Sequence, residues 1–101
     1  MLTSKQRAQL RAMGNKEDTI IHIGKGGITD ALEKQTRDAL AKREIIKGKV
    51  LENSELTARE ACDILCKNCL AEPVQVIGSK FIIYKENRDM KPEKKIKLVR
   101  G

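Results

Sequence analysis

The sequence predicts a single α/β domain, in which helices pack on a four-stranded mixed sheet. Its 101 residues suffice for one hydrophobic core, and helical and strand-like segments alternate in the order α-β-α-β-α-β-β. Strand-helix-strand units place strands in parallel, whereas a short closing hairpin adds an antiparallel edge. We assign residues 1–86 to this domain. Residues 87–101 form a basic tail that we expect to be ordered only if it docks.

The first helix is predicted by a capping box. Thr3 is followed three residues later by Gln6, so the two side chains can cap each other's backbone amides, and Gly14 then suits the end of the helix. This predicts a helix over about residues 4–13. The β-branched run of residues 19–23 predicts a buried strand that leads into a glycine-rich loop.

The second helix and strand follow this loop. Thr29 is a suitable N-cap for a helix over about residues 30–42, in which Leu40 faces the core. Residues 44–51 form the second predicted strand, and Gly48 within it predicts a bulge or a close approach of another group to the backbone.

A second capping box, Thr57 with Glu60, opens a third helix that extends to about Leu70. The three cysteines of the chain recur along it at helical spacing: Cys62, Cys66 and Cys69. We interpret them as part of an apolar stripe that packs in the core. Their C-x3-C-x2-C spacing also occurs in the cluster-binding loop of much longer radical S-adenosylmethionine enzymes, so metal or redox binding is the alternative.

The last two strands form a predicted hairpin. Residues 74–77 and 80–84 flank Gly78 and Ser79, and a leading glycine suits a type II′ turn. The tail that follows has too few apolar residues to build another element independently.

Positive charge is unevenly distributed along the chain. The net charge of +7 divides into +5 for residues 1–51, −2 for residues 52–86 and +4 for residues 87–101. Concentrated basic faces indicate nucleic acid as the partner class, with an anionic membrane surface as the alternative. No apolar run reaches the length of a membrane span, and the polar N-terminus lacks a secretory signal pattern, so we expect a cytoplasmic protein.

The most informative motif is the loop Gly24, Lys25, Gly26 and Gly27, between the first strand and the second helix. Bare backbone, a helix N-terminus and a lysine together favour binding of phosphate. We therefore predict that the loop holds a nucleic-acid backbone; a tight strand-to-helix connection is the alternative. The nucleotide-binding patterns G-x-x-x-x-G-K-[ST] and G-x-G-x-x-G are absent.

A wider electrostatic footprint is predicted from six basic side chains: Arg7, Arg11, Lys34, Arg37, Lys47 and Lys49. Base stacking is not expected to supply the affinity, because the only aromatic residues are Phe81 and Tyr84.

The loop of residues 23–29, the strand of residues 45–50 and the closing hairpin together resemble the CRM domain, in its bacterial stand-alone form, the YhbY-like proteins. The resemblance covers about residues 2–86 and includes the family's G-x-x-G loop, with Gly26 where a polar residue is more usual. It implies a fold similar to the C-terminal domain of translation initiation factor three. It also implies RNA binding, linked in bacteria to maturation of large ribosomal subunits and in plants to intron splicing.

We therefore expect a monomeric RNA-binding assembly factor that acts on ribosomal RNA without catalysis, cofactor, metal or small-molecule substrate. The competing hypothesis is a protein-interaction module that docks through Glu60 and Asp63 of the acidic third helix. An enzyme is disfavoured because the only histidine, His22, lies in a strand-like run without a catalytic partner nearby in sequence. We interpret His22 as a packed or edge residue.

Overall fold

A computed structural model describes residues 2–100, and its helices and strands follow the predicted order. They are α1 (Ser4–Gly14), β1 (Thr19–Ile23), α2 (Asp30–Arg43), β2 (Ile45–Val50), α3 (Ala58–Cys69), β3 (Glu72–Ile77) and β4 (Lys80–Tyr84). The strands form one sheet in the order β1-β2-β4-β3. β1 and β2 are parallel, and β4 is antiparallel to both β2 and β3. The predicted four-stranded mixed sheet is confirmed.

The residue just before each helix is a threonine that caps its N-terminus, as predicted. The hydroxyls of Thr3, Thr29 and Thr57 each accept a hydrogen bond from the backbone amide three residues later. Gln6 and Glu60 complete capping boxes for α1 and α3, because their side chains accept from the backbone amides of Thr3 and Thr57. These caps satisfy amides that would otherwise have no partner at the helix ends.

α1 ends at Gly14, one residue beyond the predicted end, but Gly14 is not a left-handed cap of the helix. The helix includes Gly14, and the residue after it, Asn15, caps it in a right-handed conformation. A Cβ atom on Gly14 would lie 2.6 Å from Cγ2 of Ile82. The glycine therefore allows α1 to lie directly on β4.

The helices cover both faces of the sheet. α2 and α3 lie on one face, over a core that includes Ile21, Ile23, Leu40 and Phe81. α1 lies on the other, over a smaller core. The strand residues of this second core are Ile45, Val74, Ile82 and Tyr84, and we call the sheet face that carries them the α1 face.

Gly48 is a position of close approach, one of the two alternatives predicted for it. It pairs with Phe81 in a regular part of the β2–β4 ladder, and a Cβ atom there would overlap the Phe81 ring. The irregular part of β1–β2 pairing lies between Thr19 and Ile21 instead. In the closing hairpin, Gly78 has φ +58° and connects strands that pair from Ile77 to Lys80.

The cysteines of α3 lie in the core, as predicted. Cys62, Cys66 and Cys69 are buried free thiols within the cluster between the sheet and α2 and α3. A hydrogen bond with Cys62, together with burial, raises the pKa of the Cys66 thiol. Within residues 2–100, no group of three His, Cys, Asp or Glu side chains is arranged to hold a metal ion. No helix in the same range is long and apolar enough to cross a membrane.

The C-terminal segment from Asn87 onward has no helix or strand but packs on the domain. Ile96 and Leu98 lie against the core beneath α1, and the backbone of Val99 exchanges hydrogen bonds with side chains of α1. Glu44 holds the start of this segment. It has φ +61° at the end of α2, and its fully buried carboxylate accepts hydrogen bonds from the segment's backbone.

Candidate nucleic-acid interface

The loop of residues 24–27 is a closed turn between β1 and α2. The amide of Gly27 donates to the carbonyl oxygen of Gly24 at 3.0 Å, so Lys25 and Gly26 are the central residues of the turn. Both are exposed. Within residues 2–100, neither of their backbone amides donates a hydrogen bond, and the Lys25 ammonium makes no ion pair. The turn therefore offers two free amides and a free cation.

The three glycines of the turn have different structural roles. Gly27 has φ +69°, a conformation that strains any residue with a side chain, whereas Gly24 and Gly26 do not have positive φ. Cβ atoms at Gly26 and Gly27 would meet nothing within 4 Å, and one at Gly24 would make ordinary contacts with Leu51 and Asn53. Among the described residues the space beside Gly26 and Gly27 is therefore open, so another backbone can approach the turn closely there.

The N-terminus of α2 differs from the sequence expectation of an anion site. Thr29 already caps the amide of Leu32, and two acids, Asp30 and Glu33, lie in the first turn of the helix. These carboxylates complement the helix dipole and repel a phosphate. The amides of Lys25 and Gly26 are therefore better placed to receive an anion than the helix end.

Strand alternation directs two of the predicted basic residues toward the same side. Ile46, Gly48 and Val50 of β2 face α2 and α3, so Lys47 and Lys49 project from the α1 face. The C-terminal ends of β1 and β2 lie side by side, because the amide of Leu51 donates to the carbonyl of Ile23 at 2.8 Å. Lys49 is consequently near the strand end from which the loop begins.

Arg7 and Arg11 belong to α1 and hence to the same side of the sheet. Arg11 is exposed. Arg7 is half-buried and lines a depression of about 260 Å³ beside β3, together with Arg59 and Gln75. Neither predicted arginine is in an ion pair among residues 2–100.

Lys34 and Arg37 are separated from this group, because α2 lies on the opposite face of the sheet. Both are also engaged within their own helix. Lys34 pairs with Asp38 at 3.1 Å, and Arg37 lies 3.8 Å from Glu33. The predicted footprint thus divides into four residues on the α1 side and two on the α2 side.

The strand register places His22 and Lys80, which were not among the predicted site residues, next to Lys49. His22 of β1 pairs with Lys49 of β2, Lys49 pairs with Lys80 of β4, and Lys80 pairs with Ile77 of β3. We call these four residues the open row. His22, Ile77 and Lys80 are exposed, and Lys49 is half-buried. Residues 80–84 are one lysine followed by four buried apolar residues, so the sequence does not place Lys80 beside Lys49. That position depends on the strand order.

The two aromatic residues are unavailable to a partner. Phe81 is fully buried and Tyr84 is 4% exposed. Burial, with a smaller effect of Glu44, raises the pKa of Tyr84 to about 12. Neither ring is therefore available for base stacking, and the surface around the loop offers cations, backbone amides and the exposed imidazole of His22.

The chain is similar to known proteins over most of its length. The CRS1 / YhbY (CRM) domain matches residues 2–85. The chain is similar to Probable RNA-binding protein YqeI of Bacillus subtilis, with 38% identity over 91 residues that cover 90% of this chain and 95% of YqeI. It is also similar to Probable RNA-binding protein PA4753 of Pseudomonas aeruginosa, with 27% identity over 95 residues, 94% of this chain and 89% of that protein.

A solved structure is similar as well. The solution structure of protein SAV1595 from Staphylococcus aureus aligns with a TM-score of 0.76 and 42% sequence identity, over 98% of this chain and 100% of that one. The matched region contains every helix and strand described above. The chain belongs to the CRS1 / YhbY (CRM) domain family.

Proposed function

We propose that this protein binds RNA by its sugar-phosphate backbone and acts, without catalysis, as an assembly factor of the large ribosomal subunit. RNA binding is supported by the names of the relatives. The ribosomal role follows from the resemblance to the YhbY-like proteins. We further propose that it acts as a cytoplasmic monomer.

The observation that carries the proposal is the open turn of residues 24–27. Two free amides and the Lys25 ammonium belong to one exposed bend, and the space beside Gly26 and Gly27 is open among residues 2–100. Phosphate oxygens accept hydrogen bonds from such amides and are attracted by the cation. The basic residues on the α1 side, Arg7, Arg11, Lys47 and Lys49, extend the electrostatic attraction.

We propose that Lys34 and Arg37 contribute less to RNA binding than the basic residues on the α1 side. Each already neutralises an acid of α2, so a phosphate would have to compete with Asp38 or Glu33. Because Phe81 and Tyr84 are buried and His22 is a single exposed imidazole, contacts to phosphates are favoured over stacking with several bases. We therefore propose weak dependence of affinity on base sequence and strong dependence on salt.

The test combines crosslinking in cells with two loop variants. Lys25→Gln removes the cation, and Gly26→Leu places a side chain over the amides at a position where the folded protein has open space. Lys42→Gln is the matched control, since Lys42 is an exposed, unpaired cation of α2. We expect recovery of large-subunit precursor RNA with the wild type and the control, and a loss of about tenfold or more with the loop variants.

Two results would contradict the proposal. Recovery of messenger or transfer RNA in place of ribosomal precursor would remove the ribosomal role, and unchanged crosslinking of folded Gly26→Leu protein would remove the loop from the mechanism. A complex with ribosomal proteins that survives nuclease treatment would instead favour the protein-interaction hypothesis.

A further inference from the structure

The open row crosses the whole sheet at the end where the loop lies. His22 is two residues before Gly24, and the amide of Val50 donates to the carbonyl of Ser79 in the turn that precedes Lys80. The C-terminal ends of β1 and β2 and the N-terminal end of β4 therefore lie side by side at the same end of the sheet. Because neighbouring strands are about 4.8 Å apart, the backbone positions of His22 and Lys80 are about 10 Å apart.

α1 covers only part of the α1 face. Its contacts reach Ile45, Ile82 and Tyr84, and Gly14 lies against Ile82. The open row begins beyond these residues and is not covered by α1: Ile77 is 61% exposed at one end, and His22 is exposed at the other.

The two lysines of the open row have no partner in the part of the chain that the structure describes. Among residues 2–100, neither Lys49 nor Lys80 is in an ion pair or donates a side-chain hydrogen bond. One acid, Glu52, lines the same surface depression as Lys49 and Ser79, but no ion pair joins it to the lysine. A pair of adjacent, unneutralised lysines on a solvent-facing sheet is unfavourable without an anion, because the two positive charges repel each other.

We propose that the open row is a second phosphate-binding surface, which holds the backbone of the same RNA at a point adjacent to the loop. This inference rests on the proposed function and extends it to Lys80 and His22. The ligand is the RNA sugar-phosphate backbone, since the row contains two lysines and an aliphatic side chain, and its one ring, the imidazole of His22, can stack on at most one base. Contacts at both the loop and the open row would fix the direction of the RNA across this end of the sheet, whereas a contact at the loop alone would not.

The test measures the affinity for a labelled ribosomal RNA hairpin as a function of salt. Lys49→Gln with Lys80→Gln removes both cations of the open row. Lys42→Gln with Lys67→Gln is the matched control, because it removes two exposed cations, one from α2 and one from α3, that make no ion pair among residues 2–100. Lys80→Gln alone serves as a second variant, because exposed Lys80 can be replaced without disturbing the core. Thermal unfolding of each variant establishes that it is folded.

We expect the double variant of the open row to weaken binding about tenfold, and to reduce the slope of log K against log salt by about 1.5, because two phosphate contacts are lost. Lys80→Gln alone should lower the slope by about half as much. The control should change the affinity less than about threefold and leave the slope unchanged.

Equal losses in the open-row and control variants would overturn the inference, since the effect would then come from total charge. Unchanged binding of the open-row variants, with weakened binding of Lys25→Gln, would also overturn it and leave the proposed function intact. Failure of the wild type itself to bind RNA would instead refute the proposed function.

Discussion

The carboxylate of Glu44 is fully buried and is shared by three donors. Its oxygens accept from the amides of Asn87 at 2.8 Å and Ile96 at 2.7 Å and from the ammonium of Lys95 at 3.4 Å. Glu44→Gln would place an amide group where only acceptors fit and would leave Lys95 without its buried partner. We expect a loss of about 2–3 kcal/mol in the free energy of unfolding, measured with urea.

Glu86→Gln is the matched control for Glu44→Gln. Glu86 also pairs with Lys95, at 3.1 Å, but its side chain is half exposed. Its removal should cost less than about 1 kcal/mol, as for other surface ion pairs. Equal effects of the two substitutions would show that burial of the Glu44 carboxylate is not important for stability.

Gly48 and Gly26 make a second matched pair. Gly48→Ala would push a methyl group into the Phe81 ring, whereas Gly26→Ala would extend into open space at a φ that alanine tolerates. We expect Gly48→Ala to destabilise the fold by about 1–3 kcal/mol, as overpacking does, and Gly26→Ala to be close to neutral. Partial rescue of Gly48→Ala by Phe81→Leu in a urea titration would identify the ring as the obstacle.

Tyr84 gives the fold a dependence on alkaline pH. Its pKa is raised to about 12 in the folded protein, above the ordinary value near 10. The stabilisation is complete below the unfolded pKa and is lost as the pH rises through the folded one, because the unfolded chain releases the proton first. We expect the midpoint of urea unfolding to fall between about pH 10 and pH 12. Tyr84→Phe should lessen this fall, and an identical fall in that variant would contradict the assignment.

At the scale of helices and strands, the boundaries that depend on residues close together in sequence could be predicted. Thr3, Thr29 and Thr57 mark helix starts because caps are made by side chains within one turn, and the Gly78 turn defines its hairpin for the same reason. α1 ends at Gly14 as the sequence indicated to within one residue, but the reason for the glycine was not visible, because a capping glycine and a glycine that admits a neighbouring strand look alike in sequence. The difference depends on Ile82, which is distant along the chain.

The candidate site divides in the same way. The turn of residues 24–27 was predictable because it lies between a strand and a helix in continuous sequence. The open row was not, because Lys49 and Lys80 become neighbours only once β4 is placed beside β2. The separation of Lys34 and Arg37 from the other cations likewise depends on which sheet face α2 covers.

The C-terminal segment is the element whose contacts were least visible in the sequence. Its anchors are Glu44 and, through hydrogen bonds of 2.7–2.8 Å, the side chain of Gln9 on α1. Removal of residues 87–101 would expose apolar surface and would remove all three donors to the Glu44 carboxylate. We expect the truncated chain to unfold at a lower urea concentration than the full chain.

A double-mutant cycle tests the cause of that destabilisation. In the truncated chain, Glu44→Gln should no longer destabilise and should be neutral or stabilising, because it removes a buried charge that has lost its partners. Additive effects of the truncation and the substitution would show that the segment stabilises the fold through other contacts.

At the scale of the whole molecule, RNA affinity could depend on the net charge of the protein or on where its cations lie, and the two cases predict different results for a charge-restored variant. The chain has a net charge of +7, which attracts any polyanion. Lys49→Gln with Lys80→Gln lowers this charge by two, and the further changes Glu55→Gln and Glu93→Gln restore it at exposed sites outside the open row. If net charge determines affinity, the variant with all four substitutions should bind RNA like the wild type. We expect instead that it regains less than about threefold of the lost affinity, measured by anisotropy at fixed salt, because released counterions depend on phosphates contacted locally.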